Sequence, residues 1–212
     1  MRMRKKKWAE PYLSENSEFV VAQPENFQGK WNDILKREQL HVEIGCGKGD
    51  YFIGMSKLFP ETAWIALEKD LNVAAVAAKK AIDAGCEKNC RLICQDAESI
   101  EQWFKSGEID ILHLNFSDPW PKNGYRKRRL SHQSFLDKYK KLLKPSGKVV
   151  LKTDNSKLFE FSLIEFTKCN WEIEEVWVNF RSEEHAEDVI TEYERRFMDL
   201  GQPIYRAIFI SK

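Results

Sequence analysis

Asp118 is the residue most strongly marked for chemistry, because of what stands on either side of it. It follows an apolar run, residues 109–116, that reads as a buried strand, and it lies within Asn115-Phe116-Ser117-Asp118-Pro119-Trp120-Pro121-Lys122. Asp118 and Trp120 each precede a proline, which predicts extended backbone at both. Neither Pro119 nor Pro121 has an amide proton, so the segment cannot continue as a ladder strand. A stiff rim is expected, presenting one acid and one large aromatic face. Five of the eight residues 122–129 are Lys or Arg. An acid, a stacking surface and an anion-binding loop together predict a site that handles a nucleobase.

A second set of acids stands at the ends of earlier strands. Glu43-Ile44-Gly45-Cys46-Gly47-Lys48-Gly49 is a glycine-rich turn, but its third glycine comes one residue too early for a dinucleotide fingerprint. Glu43 would also repel a pyrophosphate and welcome a cationic ligand. S-adenosylmethionine, with a sulfonium, an ammonium and no phosphate, fits that demand. Glu68, 23 residues after Gly45, is placed to accept hydrogen bonds from ribose hydroxyls. Asp96 is placed to accept from an adenine amine. The expected cofactor contacts are therefore Glu43, Gly45, Gly47, Glu68, Asp96 and Asp118. Lys48 and Lys69 read as neutralising partners of neighbouring acids.

These residues need a scaffold, and the hydrophobic pattern supplies one. After a polar, irregular leader, strands are expected at 41–44, 63–67, 91–94, 109–116 and 148–153. Helices are expected at 50–59, stopped by Pro60, and at 71–84, stopped by Gly85. Further helices are expected at 98–105, 131–144 and 156–169. Ser131 reads as an N-cap and residues 145–147 as a turn. Strands at 171–180 and 204–210 close the chain, with residues 191–200 between them. Alternation of this kind predicts an α/β, Rossmann-like fold: a seven-stranded, mostly parallel sheet with helices on both faces and an antiparallel edge strand. Ligands on such sheets bind at the carboxyl ends of the strands.

Bulk properties narrow the classes. A chain of 212 residues with 42% hydrophobic content can bury a full core, and one domain (31–212) behind a basic, partly flexible arm (1–30) is expected. No apolar run approaches the roughly 18 residues of a membrane span, and none follows the basic start as a secretory signal would require. Net charge is only +1, so any nucleic-acid affinity must come from where charge sits, at residues 2–7 and 122–129. The five cysteines, Cys46, Cys86, Cys90, Cys94 and Cys169, form no C-x-x-C pair. Reduced thiols in a cytoplasmic protein are expected, with no metal site; the spacing of Cys86, Cys90 and Cys94 predicts no convergence.

The longer string from Asn115 to Lys122, the basic stretch to Arg129, Leu151-Lys152-Thr153-Asp154 and Thr191-Glu192-Tyr193-Glu194 together resemble the bacterial tRNA (guanine-N7-)-methyltransferase family. The resemblance runs from about Arg4 to the C-terminus. It implies a class I S-adenosylmethionine-dependent methyltransferase acting on N7 of a guanine in the tRNA variable loop. It implies Asp118 as the catalytic residue, and Lys122, Asp154, Thr191, Glu192, Tyr193 and Glu194 as substrate contacts. Gly124, Tyr125, Arg126, Lys127, Arg128 and Arg129 match the stretch assigned to RNA contact. Asn123-Gly124-Tyr125 is less basic than some members carry. A monomer or homodimer with no membrane association is expected.

The chemistry agrees. Guanine N7 has an exposed in-plane lone pair, so no proton need be removed and no strong base is needed. Positioning can supply roughly 7 to 11 kcal/mol of a barrier, and Asp118 would stabilise the charge that develops on the base. Glu194 or Asp154 could pair the N1–H and 2-amino donors of guanine. Trp120 and Tyr193 each have two readings, stacking on a base at about 1 to 3 kcal/mol or packing within the protein. Thr191 and Glu194 also match a helix capping box. Two rivals are an amino-directed nucleic acid methyltransferase, because Asp118-Pro119-Trp120 is loosely similar to the loop of those enzymes, and a non-catalytic RNA-binding protein.

Overall fold

The structure is a computed structural model that describes residues 5–211, in two compact units, Met1–Lys105 and Ser106–Lys212. Arg2 and Arg4, part of the expected basic arm, lie outside the described residues.

In the first unit the leader is not irregular. Residues Ala9–Glu15 form helix α1, with Ala9 and Leu13 buried. Phe19, Val20 and Val21 are also buried, and Val20 makes a parallel bridge to Leu92. Trp31 opens a short helix, α2 (Trp31–Leu35), and its indole donates to the Trp103 carbonyl at 2.9 Å. Scattered aromatics, too sparse to show a period, thus anchor the segment.

Strand β1 (Gln39–Ile44) leads through the glycine turn into α3 (Asp50–Leu58). Strand β2 (Thr62–Leu67) is buried at every position, and α4 (Leu71–Asp83) follows. Ala74, Ala75, Ala77, Ala78 and Ala81 are all fully buried, so the alanines give α4 a close seat; α1 packs against it. Gly85, at φ +71°, ends the helix as its sequence predicts. Strand β3 (Cys90–Ile93) completes a parallel set in the order β3-β2-β1. Residues Ala97–Gln102 are a 3-10 helix where an α-helix is expected. Cys86 and Cys90, not expected to meet, are near enough to shift one another: the Cys90 thiol lowers the Cys86 pKa to about 6 against the effect of burial, while burial first and then Cys86 raise that of Cys90.

In the second unit β4 (Ile109–Asn115) stops one residue early, because Phe116 adopts φ +51°. Helix α5 (Gln133–Leu142) is capped by His132, whose ring accepts from the Ser134 amide; Ser131 is instead buried and bonds the Ser162 hydroxyl at 2.7 Å. Strand β5 (Leu143–Thr153) begins directly after α5. The expected turn at 145–147 is an irregularity inside that strand, with Ser146 at φ +62° and the β4–β5 register shifting between Ile109 and Ile111.

Helix α6 (Ser156–Lys168), β6 (Trp171–Trp177), α7 (Glu192–Asp199) and β7 (Tyr205–Ser211) follow. The strand order is β4-β5-β7-β6. The β4–β5 pair is parallel, and β7 runs antiparallel to both β5 and β6. The reversed strand is therefore one place in from the rim, with β6 outermost. No helix among the described residues is long and apolar enough to cross a membrane.

Candidate functional site

The first unit gathers Glu43, the glycine turn, Glu68 and Asp96 at the carboxyl ends of three parallel strands. Glu43 is only 2% exposed, and its Oε2 accepts from the Phe52 amide in the first turn of α3 at 3.2 Å. The positive end of that helix thus offsets a buried carboxylate. Glu68 closes the turn from the other side: its Oε2 accepts from Gly47 N at 3.0 Å and its Oε1 from Asp70 N at 2.9 Å. Burial raises the Glu68 pKa while these amide bonds lower it. A carboxylate has about four acceptor directions, so Glu68 can hold the turn and still accept from a ligand hydroxyl. Burial, then Glu43 and Glu68, push the Cys46 thiol far up, so it is no nucleophile.

The glycines divide by role. Gly45 (φ +77°) and Gly47 (φ +56°) have nothing within 4 Å of where a Cβ would stand. That open space lets a ligand approach the backbone, on the same turn that Glu68 holds. Gly49 (φ +87°) has no such space, since a Cβ there would lie 2.7 Å from Phe52. Asp96 is exposed, caps the following 3-10 helix through Glu98 N at 3.1 Å, and lies 3.7 Å from Lys69. A turn with open backbone and three acids of these kinds fits a ligand with hydroxyls and a cationic end.

The second unit gathers a different set. Asp118 is exposed just past β4, between Phe116 at φ +51° and Trp120 at φ +41°. Trp120 is thus not extended as its following proline predicts. Arg129 holds it there, donating from Nε to the Pro119 carbonyl at 2.9 Å and from Nη2 to the Trp120 carbonyl at 3.0 Å. Two non-glycine residues in the left-handed region around one acid store strain, and such strain clusters at functional sites.

Asp154 stands just past β5, the parallel neighbour of β4, and its Oδ1 lies 3.5 Å from the Tyr193 hydroxyl. The Tyr193 ring is 5.0 Å from Phe116. Burial first, then Asp154 and Asp118, push the Tyr193 phenol up to about 12. Tyr193 is thus the group that both Asp154 and Asp118 act on, and it ties the ends of the two strands into one cluster.

Thr191 and Glu194 belong to the cluster's frame. The capping box forms: Glu194 N donates to Thr191 Oγ1 at 3.1 Å and Thr191 N to Glu194 Oε2 at 3.4 Å. Glu194 is fully buried, with Arg181 Nε 2.6 Å from Oε1 and Lys152 Nζ 3.3 Å from Oε2. Asp188 completes a four-member network, 2.5 Å from both Lys152 and Arg181. Glu194 thus has no free face for a guanine, contrary to one reading of its sequence, and Asp154 is the acid that remains. Glu192 and Tyr193 are the exposed members of the segment. Sequence reading missed Lys152, Arg181 and Asp188; a lysine inside the apolar run 148–153 was the available signal.

The basic stretch also divides. Residues Asn123–Arg128 form an exposed 3-10 helix. Arg126 pairs with the buried Glu165 at 3.0 Å, and Arg129 holds the rim, so neither is a free phosphate contact. Lys122, Lys127 and Arg128 are exposed and pair with no acid among the described residues.

Comparison with known proteins matches residues 37–207 to the family described as "Putative methyltransferase". The tRNA (guanine-N(7)-)-methyltransferase of Limosilactobacillus reuteri is 44% identical over 210 residues, covering 98% of each chain. The protein of the same name from Streptococcus agalactiae is 40% identical over 208 residues, again covering 98% of each. Among solved structures, the 16S rRNA methyltransferase KamB has a TM-score of 0.61 at 14% identity, covering 83% of this chain and 89% of that one. A SAM-dependent methyltransferase from Aquifex aeolicus has a TM-score of 0.58 at 14% identity, covering 98% and 100%. These structural likenesses establish the Rossmann-like methyltransferase fold.

Proposed function

This chain belongs to the bacterial tRNA (guanine-N7-)-methyltransferase family, and from that premise we propose how its residues divide the work. The enzyme transfers a methyl group from S-adenosylmethionine to N7 of a guanine in tRNA. When bound, the cofactor supplies a methyl group activated by its sulfonium. Glu43, Gly45, Gly47, Glu68 and Asp96 hold it: Glu43 by charge, Glu68 through ribose hydroxyls, Asp96 through the adenine amine, and the two glycines by leaving backbone open.

Asp118 is the catalytic group. It faces a base that gains positive charge as N7 is alkylated, and a fixed carboxylate lowers the energy of that charge without moving a proton. Asp154 accepts from N1–H and the 2-amino group of guanine, which adenine and cytosine do not present together. Leaving such an acid unpaired against the wrong base gives sharp discrimination. Tyr193 flanks the base, and Lys122 with Glu192 borders the substrate. Thr191 and Glu194 contribute by fixing the backbone beneath Tyr193.

One observation carries this reading: the chemistry-bearing groups gathered past β4 and β5 are two carboxylates and a phenol. That set suits a nucleophile that needs no base. The target is a guanine of the variable loop. We place the enzyme in the cytoplasm with tRNA, its five cysteines as free thiols, acting as a monomer or homodimer without metal.

The decisive experiment is incubation with bulk tRNA and labelled cofactor, followed by identification of the labelled nucleoside and its position. 7-Methylguanosine in the variable loop is expected. Labelled N6-methyladenosine would overturn the assignment of base and atom.

A further inference from the structure

Three arginines in the basic stretch have three different fates. Arg126 is bound to Glu165 and lies over the Phe161 ring at 4.8 Å. Arg129 is bound to two carbonyls and lies over the same ring at 4.3 Å. Arg128 has no acid partner among the described residues. Its guanidinium lies instead 5.0 Å from the Trp120 ring and 4.7 Å from the Tyr125 ring. The two rings stand 5.9 Å apart at 68° and bound a notch that this flat, cationic group occupies.

A guanidinium plane stacks on aromatic faces much as a nucleobase does. Held only by two rings on an exposed turn, it is also easily exchanged. The walls of the notch are braced. Trp120 is half-buried, its backbone is clamped by Arg129, and the Tyr125 amide bonds the Lys122 carbonyl at 2.9 Å. Tyr125 remains 43% exposed. Only Pro119 separates Trp120 from Asp118 along this rim, so a strand entering the Asp118 cluster passes the notch.

We propose that the Trp120–Tyr125 notch is a second nucleobase subsite, taking one unstacked base next to the methylated guanine. Arg128 leaves the notch for the adjoining phosphate as the base enters. The proposal rests on the tRNA-methylating function above; it pairs Trp120 with Tyr125 and gives them a neighbouring base, distinct from the methylated guanine. Single-stranded RNA is read in this way, by bases splayed onto aromatic and arginine planes.

The test uses the full enzyme and three transcripts: intact tRNA, and tRNA made abasic at the nucleotide on either side of the target guanosine. Dissociation constants are measured for wild-type, Tyr125→Ala and Tyr125→Phe, and 7-methylguanosine is quantified in the same samples. One abasic transcript should bind wild-type roughly ten-fold more weakly than intact tRNA does, the scale of one base–aromatic stack. Tyr125→Ala should bind intact tRNA with the same loss and be indifferent to that abasic change, while Tyr125→Phe matches wild-type. Equal binding of all three transcripts by wild-type would overturn the subsite. So would additive losses in Tyr125→Ala, or failure of phenylalanine to restore affinity. Absence of 7-methylguanosine from the intact transcript would instead strike the methylating function, because the binding comparison stands apart from it.

Discussion

At the scale of single residues, the candidate site separates carboxylates open to solvent from carboxylates that hold the frame. Asp118 is exposed and Asp154 partly so, whereas Glu194 is fully buried between Arg181 and Lys152. Asp118→Asn removes the charge and keeps the shape. It should lower kcat by roughly 100- to 1000-fold, the scale seen when one preorganised electrostatic group is lost, with KM for tRNA nearly unchanged. Steady-state methylation assays check this, and a kcat within a few-fold of wild-type would remove Asp118 from the chemistry. Asp188 behaves differently. Burial would raise its pKa, but Lys152 and Arg181 hold it below the ordinary carboxylate range. A lowered folded-state pKa gives stability that is present above the unfolded value, near 3.9, and lost as pH falls through the folded one. Urea midpoints should therefore begin to fall as pH drops below about 4. Asp188→Asn should weaken the fold at neutral pH by about 3 to 5 kcal/mol and flatten that acid limb. An unchanged slope in the variant would mean that other carboxylates set it. Asp118, Glu43, Glu68 and Asp96 were legible because each follows or ends an apolar run. Which of Asp154 and Glu194 is left accessible was not, since burial of Glu194 depends on Arg181 and Lys152, distant in sequence.

At the scale of elements, short-range signals carried most of the fold. The alanines of α4, the glycine after it and the uninterrupted apolar run of β2 each point one way, and the structure follows them. Where the outcome differed, a tertiary contact decided. Trp120 precedes a proline yet takes a left-handed φ because Arg129 bonds its carbonyl. Residues 9–15 became a helix because α4 offers a surface for Ala9 and Leu13. The glycine turn allows a prediction that separates local strain from ligand approach. Gly47→Ala meets no atom within 4 Å but keeps a positive φ. It should cost the fold only about 1 to 2 kcal/mol, while weakening cofactor binding strongly by filling the approach. Gly49→Ala meets Phe52 at 2.7 Å and Ala77 at 3.2 Å besides its φ of +87°. It should lose several degrees more in Tm. Thermal melts with and without the methyl donor distinguish them: the donor should raise the Tm of Gly49→Ala and barely move that of Gly47→Ala. The reverse pattern would mean that the open face of Gly47 is not where the cofactor lies.

At the scale of the whole molecule, a net charge of +1 gives no general attraction for tRNA. Affinity must come from local cations, and the structure leaves few of them unengaged around the Asp118 rim. Lys122, Lys127 and Arg128 are free of acids among the described residues, whereas Arg126 and Arg129 are spent on Glu165 and on backbone carbonyls. Each phosphate neutralised releases counterions and adds about 0.7 to 0.9 to the slope of log affinity against log salt. Lys127→Gln should thus reduce the slope by about 1 and leave the melting temperature alone. Arg126→Gln should do the opposite. It strands Glu165, which also accepts from the Gln133 amide at 3.2 Å, and so lowers Tm while leaving the slope close to wild-type. The sequence presents both as members of one basic run, and only the fold separates a charge that meets solvent from one that meets a buried acid. Filter-binding titrations between low and physiological salt, run beside thermal melts, measure both quantities. Equal slope changes for the two variants would mean that Arg126 leaves Glu165 when RNA arrives, and that the ion pair is a latch on the rim instead of a permanent brace.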